Sequence, residues 1–271
     1  MSFSISGRTA IVTGAANGIG LAIARHFAAQ GANVMLADKD EERLADEVGD
    51  NGEQGAGAMR YFAGDLRRKL TQANLISATV DAFERIDILV NAARQVLRSD
   101  PLALDDRSFE ALLEQNLSTG FRLSQAVARR MIRQAGEGGG PDDEPVGSII
   151  NISSIAAHRV HPELLAYSVS TAALEQMTRA LAVALAPQRI RVNAVAFGSV
   201  MSASLRDALA EGEAARADII GHTPLGRIAA AGELAWPVQF LASEASGFIT
   251  GQVLIVDGGR TLLDAVDTAA H

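Results

Sequence analysis

Two side chains stand out for the chemistry they could perform together. Asn151-Ile152-Ser153-Ser154 closes an apolar run, and Tyr167 opens the next long helical stretch. A hydroxyl at the carboxyl end of a strand and a phenol across the same cleft could bind one carbonyl oxygen, Ser154 polarising it and Tyr167 passing a proton. Taken singly, a serine and a tyrosine are more often surface or capping residues. A second locus is Thr13-Gly14-Ala15-Ala16-Asn17-Gly18-Ile19-Gly20, set between a β-prone run and a helical one. Glycines there allow a tight turn and let backbone N–H groups approach a pyrophosphate, while the positive end of the following helix attracts its charge. Gly14, Asn17, Gly18, Ile19 and Gly20 are therefore candidate phosphate-binding residues. Asp38, at the end of the second β-prone run, can accept hydrogen bonds from an adenosine ribose diol and repel a 2′-phosphate, which favours NAD over NADP. Lys39 follows directly and partly offsets that preference.

These residues need a frame to bring them together. Thr9-Ala10-Ile11-Val12 reads as a buried strand, and apolar residues at Ile19, Ile23, Ala24 and Phe27 then recur at helical spacing until Gly31. The alternation continues. Strands are expected at Asn33–Ala37, Met59–Ala63, Ile86–Val90, Gly147–Ile152, Arg191–Ala196 and Gln252–Val256. Helices are expected at Glu41–Val48, Leu70–Phe83, Phe109–Gln134 and Tyr167–Leu185. Such alternation implies an α/β fold: a doubly wound, Rossmann-like parallel sheet with helices on both faces, in a single domain. Residues 134–147, polar and rich in Gly and Pro, predict an exposed flexible loop. The stretch 198–225, with a helix-like Ser204 to Ala217, fits a lid over a substrate.

Composition narrows the function further. At 271 residues, 48% hydrophobic and 21% charged, the chain can bury a sizeable core. A formal net charge of −8 would repel a phosphate backbone, so nucleic acid is an unfavourable partner and a small molecule a better one. The absence of cysteine removes disulfides, thiol nucleophiles and thiolate metal sites, and no cluster of metal ligands stands out. No apolar run approaches the roughly 20 residues needed to cross a bilayer, and residues 1–20 lack a basic head with an apolar stretch. The expectation is a soluble, unexported, cytoplasmic protein with no membrane partner.

Taken in order, these motifs resemble the short-chain dehydrogenase/reductase family. The resemblance spans Gly7 to about Gly259 and rests on Thr13-Gly14-x-x-x-Gly18-x-Gly20, Asp65-Leu66, Asp87-Ile88-Leu89-Val90-Asn91-Ala92-Ala93, Asn116, and Ser154 with Tyr167. Arg191-Val192-Asn193-Ala194-Val195 and Val256-Asp257-Gly258-Gly259 complete it. The resemblance implies that Asp65 and Leu66 sit by the adenine and that Asn91 lines the adenosine side of the cleft. It also implies that Asn116 holds the fourth helix open to water for a proton relay, that Ser154 orients the substrate oxygen and that Tyr167 is the acid/base. Self-association, commonly as a tetramer through the two long helices and the last strand, is implied as well.

Three departures from the family pattern fall at informative places. The family's tyrosine is followed four residues later by a lysine, which holds the nicotinamide ribose and eases ionisation of the phenol; this chain has Thr171. Its only lysines, Lys39 and Lys69, belong to the adenine-side half. The glycine expected after the fourth strand is Arg94, whose side chain must either be displaced or enter the cleft and supply the missing charge. Arg159 is a second candidate for that charge. His161 could carry protons, although an exposed loop role suits it better. Phe197-Gly198 replaces Pro-Gly, which would widen or cover the pocket. Two functions from different classes follow: an oxidoreductase interconverting an alcohol and a ketone, or an impaired dinucleotide-binding protein acting as a sensor or assembly partner. A different reaction on the same scaffold is a third possibility.

Overall fold

A computed structural model describes residues 2–51, 57–138, 145–201, 205, 209, 213–264 and 266. Seven strands form one parallel sheet: Thr9–Thr13 (β1), Asn33–Asp38 (β2), Met59–Ala63 (β3), Ile88–Asn91 (β4), Gly147–Ser154 (β5), Ile190–Phe197 (β6) and Val253–Val256 (β7). Their order is β3-β2-β1-β4-β5-β6-β7, so the direction of winding reverses between β1 and β4. In such a sheet the crossovers leave β1 and β4 toward opposite faces, and a crevice opens beyond their carboxyl ends.

Helices Gly18–Ala29 (α1), Glu41–Asn51 (α2), Lys69–Phe83 (α3), Ser108–Leu113 (α4), Thr119–Gly138 (α5), Leu165–Leu185 (α6), Glu213–Gly221 (α7) and Ala235–Ala242 (α8) connect the strands. Period-two alternation assigns the strand residues to two apolar layers. Val12, Val34 and Ile88 pack under α1 and α8 with Ile23, Phe27 and Val238. Ile11, Met35 and Leu89 pack under α3, α5 and α6 with Leu75, Val127 and Leu181. Because both faces are covered, β1 and β6 are buried along their whole length, including Arg191 and Asn193 of β6.

The elements follow the sequence reading with three instructive differences. The helix expected over Phe109–Gln134 is divided into α4 and α5 by a wide π-helical turn, Glu114–Ser118. Thr119 Oγ1 donates to the Glu114 carbonyl across that turn at 2.8 Å. A single widened turn leaves the apolar period almost unchanged, so it is invisible to periodicity. The loop expected at 134–147 is helical through Gly138; its middle, 139–144, lies outside the described residues. Of the expected 198–225 lid, residues 202–204, 206–208 and 210–212 lie outside the described residues, and the described helix is Glu213–Gly221 rather than one spanning Ser204–Ala217. Its base is anchored: Met201 N–H donates to the Ala229 carbonyl and Ala229 N–H to the Ser199 carbonyl, each at 2.8 Å.

Candidate active site

The crevice at the β1/β4 reversal is an open cleft lined by Gly14, Asn17, Gly18, Ile19, Gly20, Asp38, Asp65, Leu66 and Arg94 among others. Local sterics dictate glycine at its floor. Gly14 has φ 66°, and a Cβ there would lie 2.7 Å from Ala93 Cα and 2.9 Å from the Ala92 carbonyl oxygen. A Cβ on Gly20 would meet the Gly14 carbonyl oxygen at 2.2 Å. The loop after β4 is brought this close by Thr13, whose Oγ1 accepts from Ala92 N–H and Ala93 N–H at 3.0 Å each. At the start of α1, Asn17 makes no side-chain cap and the first turn carries no acidic residue. The amides of that turn and the positive end of the helix thus face the cleft without a competing carboxylate.

Asp38 is fixed by the backbone around it. Its carboxylate accepts from Ala16 N–H at 3.2 Å, Lys39 N–H at 2.7 Å and Asp40 N–H at 3.3 Å, which ties the end of β2 to the glycine turn. Asp65 lines the same cleft but faces Arg67, which donates to it at 2.9 and 2.7 Å. That guanidinium holds the Asp65 carboxyl down at about 2. Leu66 is buried, and its carbonyl accepts from Gln72 Nε2 at 2.7 Å.

Beyond Arg94 lies a smaller chamber lined by Thr13, Asn91, Asn116, Ile152, Tyr167 and Thr171, with Arg94 itself in the wall of both spaces. Tyr167 is only 4% exposed; it forms a small apolar cluster with Leu112 and Ala166, against which Val96 and Leu97 of the segment after β4 pack. Asn116, on the π-helical turn, holds that segment in place: its Oδ1 accepts from Gln95 N–H at 2.8 Å and its Nδ2 donates to the Gln95 carbonyl at 3.0 Å. The same Nδ2 reaches Ser170 Oγ at 3.2 Å. The phenol hydroxyl accepts from Arg94 NH1 at 2.7 Å, and the guanidinium carbon stands 4.5 Å from the centroid of the Phe197 ring. Thr171 Oγ1 donates to the carbonyls of Tyr167 and Ser168 at 3.0 and 3.1 Å.

Ser154 is the last residue of β5; it is buried, and its Oγ accepts from Ala156 N–H at 3.2 Å, capping the short turn Ile155–Ala157. Asn91 does not lie with Asp38 in the wide cleft. Its Nδ2 donates to Ser124 Oγ at 3.0 Å and to Asn151 Oδ1 at 2.9 Å, and Asn151 in turn donates to Thr178 Oγ1 at 2.8 Å. This buried chain fastens β4 and β5 to α5 and α6 beside Tyr167. Arg159 turns away from the site and donates to the Thr261 carbonyl. His161 accepts from Glu163 N–H at 3.3 Å as a local cap.

Sequence reasoning passed over one group near the site. Glu175, two turns beyond Tyr167 on α6, is buried, accepts from Ser153 Oγ at 3.0 Å and lies 3.0 Å from His158 Nε2. A glutamate at a core-facing position of the helix, next to Leu174, was the available signal.

Comparison with known proteins agrees with this geometry. Residues 14–261 match the family described as enoyl-(acyl carrier protein) reductase. The chain is 32% identical over 258 residues to the 3-oxoacyl-(acyl-carrier-protein) reductase FabG of Thermotoga maritima, covering 95% of this chain and 99% of that protein. It is 34% identical over 275 residues to galactitol 2-dehydrogenase (L-tagatose-forming) of Cereibacter sphaeroides, covering 96% and 97%. Among solved structures, a 7α-hydroxysteroid dehydrogenase complexed with NADH and 7-oxo glycochenodeoxycholic acid is similar with a TM-score of 0.86 and 30% identity, covering 95% of each chain.

Proposed function

The chain belongs to the short-chain dehydrogenase/reductase family, and from that premise we propose that it is an NAD-dependent oxidoreductase interconverting a secondary alcohol and a ketone. The observation that carries this reading is the continuity of the site. A glycine turn with open helix-terminal amides, a ribose-binding carboxylate and a buried phenol line two adjoining spaces that share Arg94. The residues present fit a pyridine dinucleotide. The N–H groups at the start of α1 have no side-chain cap, and Asp38 keeps lone pairs for a ribose diol after its backbone bonds. When bound, the nicotinamide supplies the hydride acceptor or donor.

The chain's own part is positioning and proton transfer. Ser154, rigid at the end of β5, holds the substrate oxygen. Tyr167 gives a proton to that oxygen in reduction and takes one from the alcohol in oxidation. Asn116 keeps the covering segment in register through the Gln95 backbone, which limits water at the phenol. Asp38 favours NAD because a 2′-phosphate would meet its carboxylate, with Lys39 beside it as a partial counterweight. The stretch 198–225 is read as a cover for the substrate, a reading supported by the anchoring of Ser199 and Met201 to Ala229 at its base. Self-association through α6 and β7 belongs to this reading and is supported by the exposure of Ala172, Ala180 and Ala184 together with Val183, Leu254 and Ile255.

A second reading, a dinucleotide-binding protein with little turnover, is favoured by one observation. Tyr167 is nearly inaccessible, and its hydroxyl is already engaged by Arg94. One pair of measurements separates the two. NADH binding followed by fluorescence, with turnover of a panel of ketones and secondary alcohols, is expected to show both; binding without turnover would favour the sensor, and no binding at millimolar NADH would reject both. Tyr167→Phe is expected to abolish turnover while leaving NADH affinity within about threefold, and Asp38→Ser to cost NADH about tenfold in affinity while improving that of NADPH.

A further inference from the structure

We propose that the Arg94 guanidinium, hydrogen-bonded to the Tyr167 hydroxyl and stacked on Phe197, is the fixed positive charge that drives proton transfer at this site. The inference rests on the reading of Tyr167 as the acid/base.

Three observations converge on it. Arg94 NH1 reaches the phenol oxygen at 2.7 Å, the length of a charge-assisted hydrogen bond. The opposite side of the guanidinium is covered by the Phe197 ring at 4.5 Å, so the cation is held by a π-face and sheltered from water on that side. No described carboxylate stands within ion-pair distance of Arg94, and it is the one charged side chain among the described residues lining the Tyr167 chamber. Its charge is therefore not cancelled locally and acts on the phenol.

The remaining donors nearby are engaged elsewhere. Thr171 Oγ1 donates to its own helix, and Arg159 reaches the Thr261 carbonyl. Titratable groups on the elements packed against Tyr167 are mostly paired among themselves: Glu114 with Arg122, Glu163 with Arg98, and Glu175 with His158 and Arg179. Glu110 on α4 is exposed. None of these lines the chamber.

A guanidinium stays protonated throughout, so Arg94 does not itself exchange the proton. In alcohol oxidation the O–H proton passes to the Tyr167 phenolate while the carbon-bound hydride leaves to the oxidised nicotinamide. In carbonyl reduction the hydride arrives from the reduced nicotinamide, the phenol gives its proton to the carbonyl oxygen, and the resulting phenolate is left beside Arg94. A cation at the phenol oxygen stabilises the charge common to both directions, so both are accelerated.

Arg94→Met and Arg94→Lys test the assignment, with NADH affinity followed by fluorescence in each. Arg94→Met is expected to lower kcat about 100-fold in both directions, with NADH affinity within about threefold. Arg94→Lys is expected to recover at least a tenth of parental kcat, and guanidinium ion at millimolar concentration to rescue Arg94→Gly. An independent readout needs no substrate: the chain has two tyrosines, so in a Tyr61→Phe background phenolate absorbance reports Tyr167 alone. Its onset is expected at a higher pH in Arg94→Met than in the parent. Parental kcat and an unmoved phenolate onset in Arg94→Met would overturn the proposal, as would faster turnover, which would make the guanidinium a plug. Failure of the parent to bind NADH would instead reject the dinucleotide reading, while the absorbance comparison still decides whether Arg94 acts on Tyr167.

Discussion

Arg94 NH1 donates to the Tyr167 hydroxyl at 2.7 Å, while Thr171, one turn further along the same helix, turns its hydroxyl back to the Tyr167 carbonyl at 3.0 Å. The donor at the phenol thus comes from the loop after β4 and not from the helix that carries the phenol. Arg94, Phe197 and Thr171 are far apart in the chain. In the fold Arg94 and Thr171 line one chamber with Tyr167, and Phe197 packs on Arg94.

Phe197 should act through Arg94. Phe197→Leu keeps an apolar side chain at the end of β6 but removes the π-face under the guanidinium, an interaction of about 0.5–2 kcal/mol. The expected result is a kcat about three- to tenfold lower with little change in NADH affinity. Stopped-flow measurement of the hydride step with NADH would check it. An Arg94→Met/Phe197→Leu double variant should be no slower than Arg94→Met alone.

Placing a lysine at position 171 alone should harm the protein. Thr171 is buried beside Arg94 in the chamber wall, so Thr171→Lys brings a second cation against an existing one in a poorly hydrated space. Lower turnover and a lower Tm are expected. In an Arg94→Gly background the same substitution should instead raise kcat above that of Arg94→Gly alone. A gain from Thr171→Lys in the parent would show that the present arrangement is an impaired one.

Gly14→Ala should separate the cleft from the phenol. The new Cβ would stand 2.7 Å from Ala93 Cα at a left-handed φ of 66°, so the loop carrying Arg94 must shift. A loss of NADH affinity of at least 100-fold and a destabilisation of about 1–3 kcal/mol are expected. Calorimetry with NADH and urea unfolding would measure the two.

Asp65 gives a pH signature. Arg67 holds its carboxyl at about 2, below the ordinary value near 3.9 of an unfolded chain. A depressed carboxyl contributes stability that is fully present above about pH 4 and is lost as pH falls toward 2. The urea midpoint of the parent should therefore fall more steeply between pH 4 and 2 than that of Asp65→Asn. Because the pair is partly exposed, with side chains 54% and 33% accessible, 1 M salt should shrink the difference.

The sequence by itself determined the sheet, its strands and the glycine turn. Period-two and period-3.6 patterns are local, and the steric demand at Gly14 and Gly20 follows from a turn that must pass close to a neighbouring strand. It also offered Ser154 and Tyr167 as candidate partners and singled out Arg94. What it left open was where that arginine goes. A long, flexible side chain has many rotamers, and its choice depends on Phe197 and Tyr167, more than seventy residues downstream, being delivered by β6 and α6 to the carboxyl rim of the sheet. The π-helical turn at Asn116 and the apolar cluster that holds Tyr167, with Val96 and Leu97 packed against it, are tertiary outcomes of the same kind, because both involve the segment after β4. Only the folded chain, by closing those long-range contacts, decided which positive charge stands at the phenol.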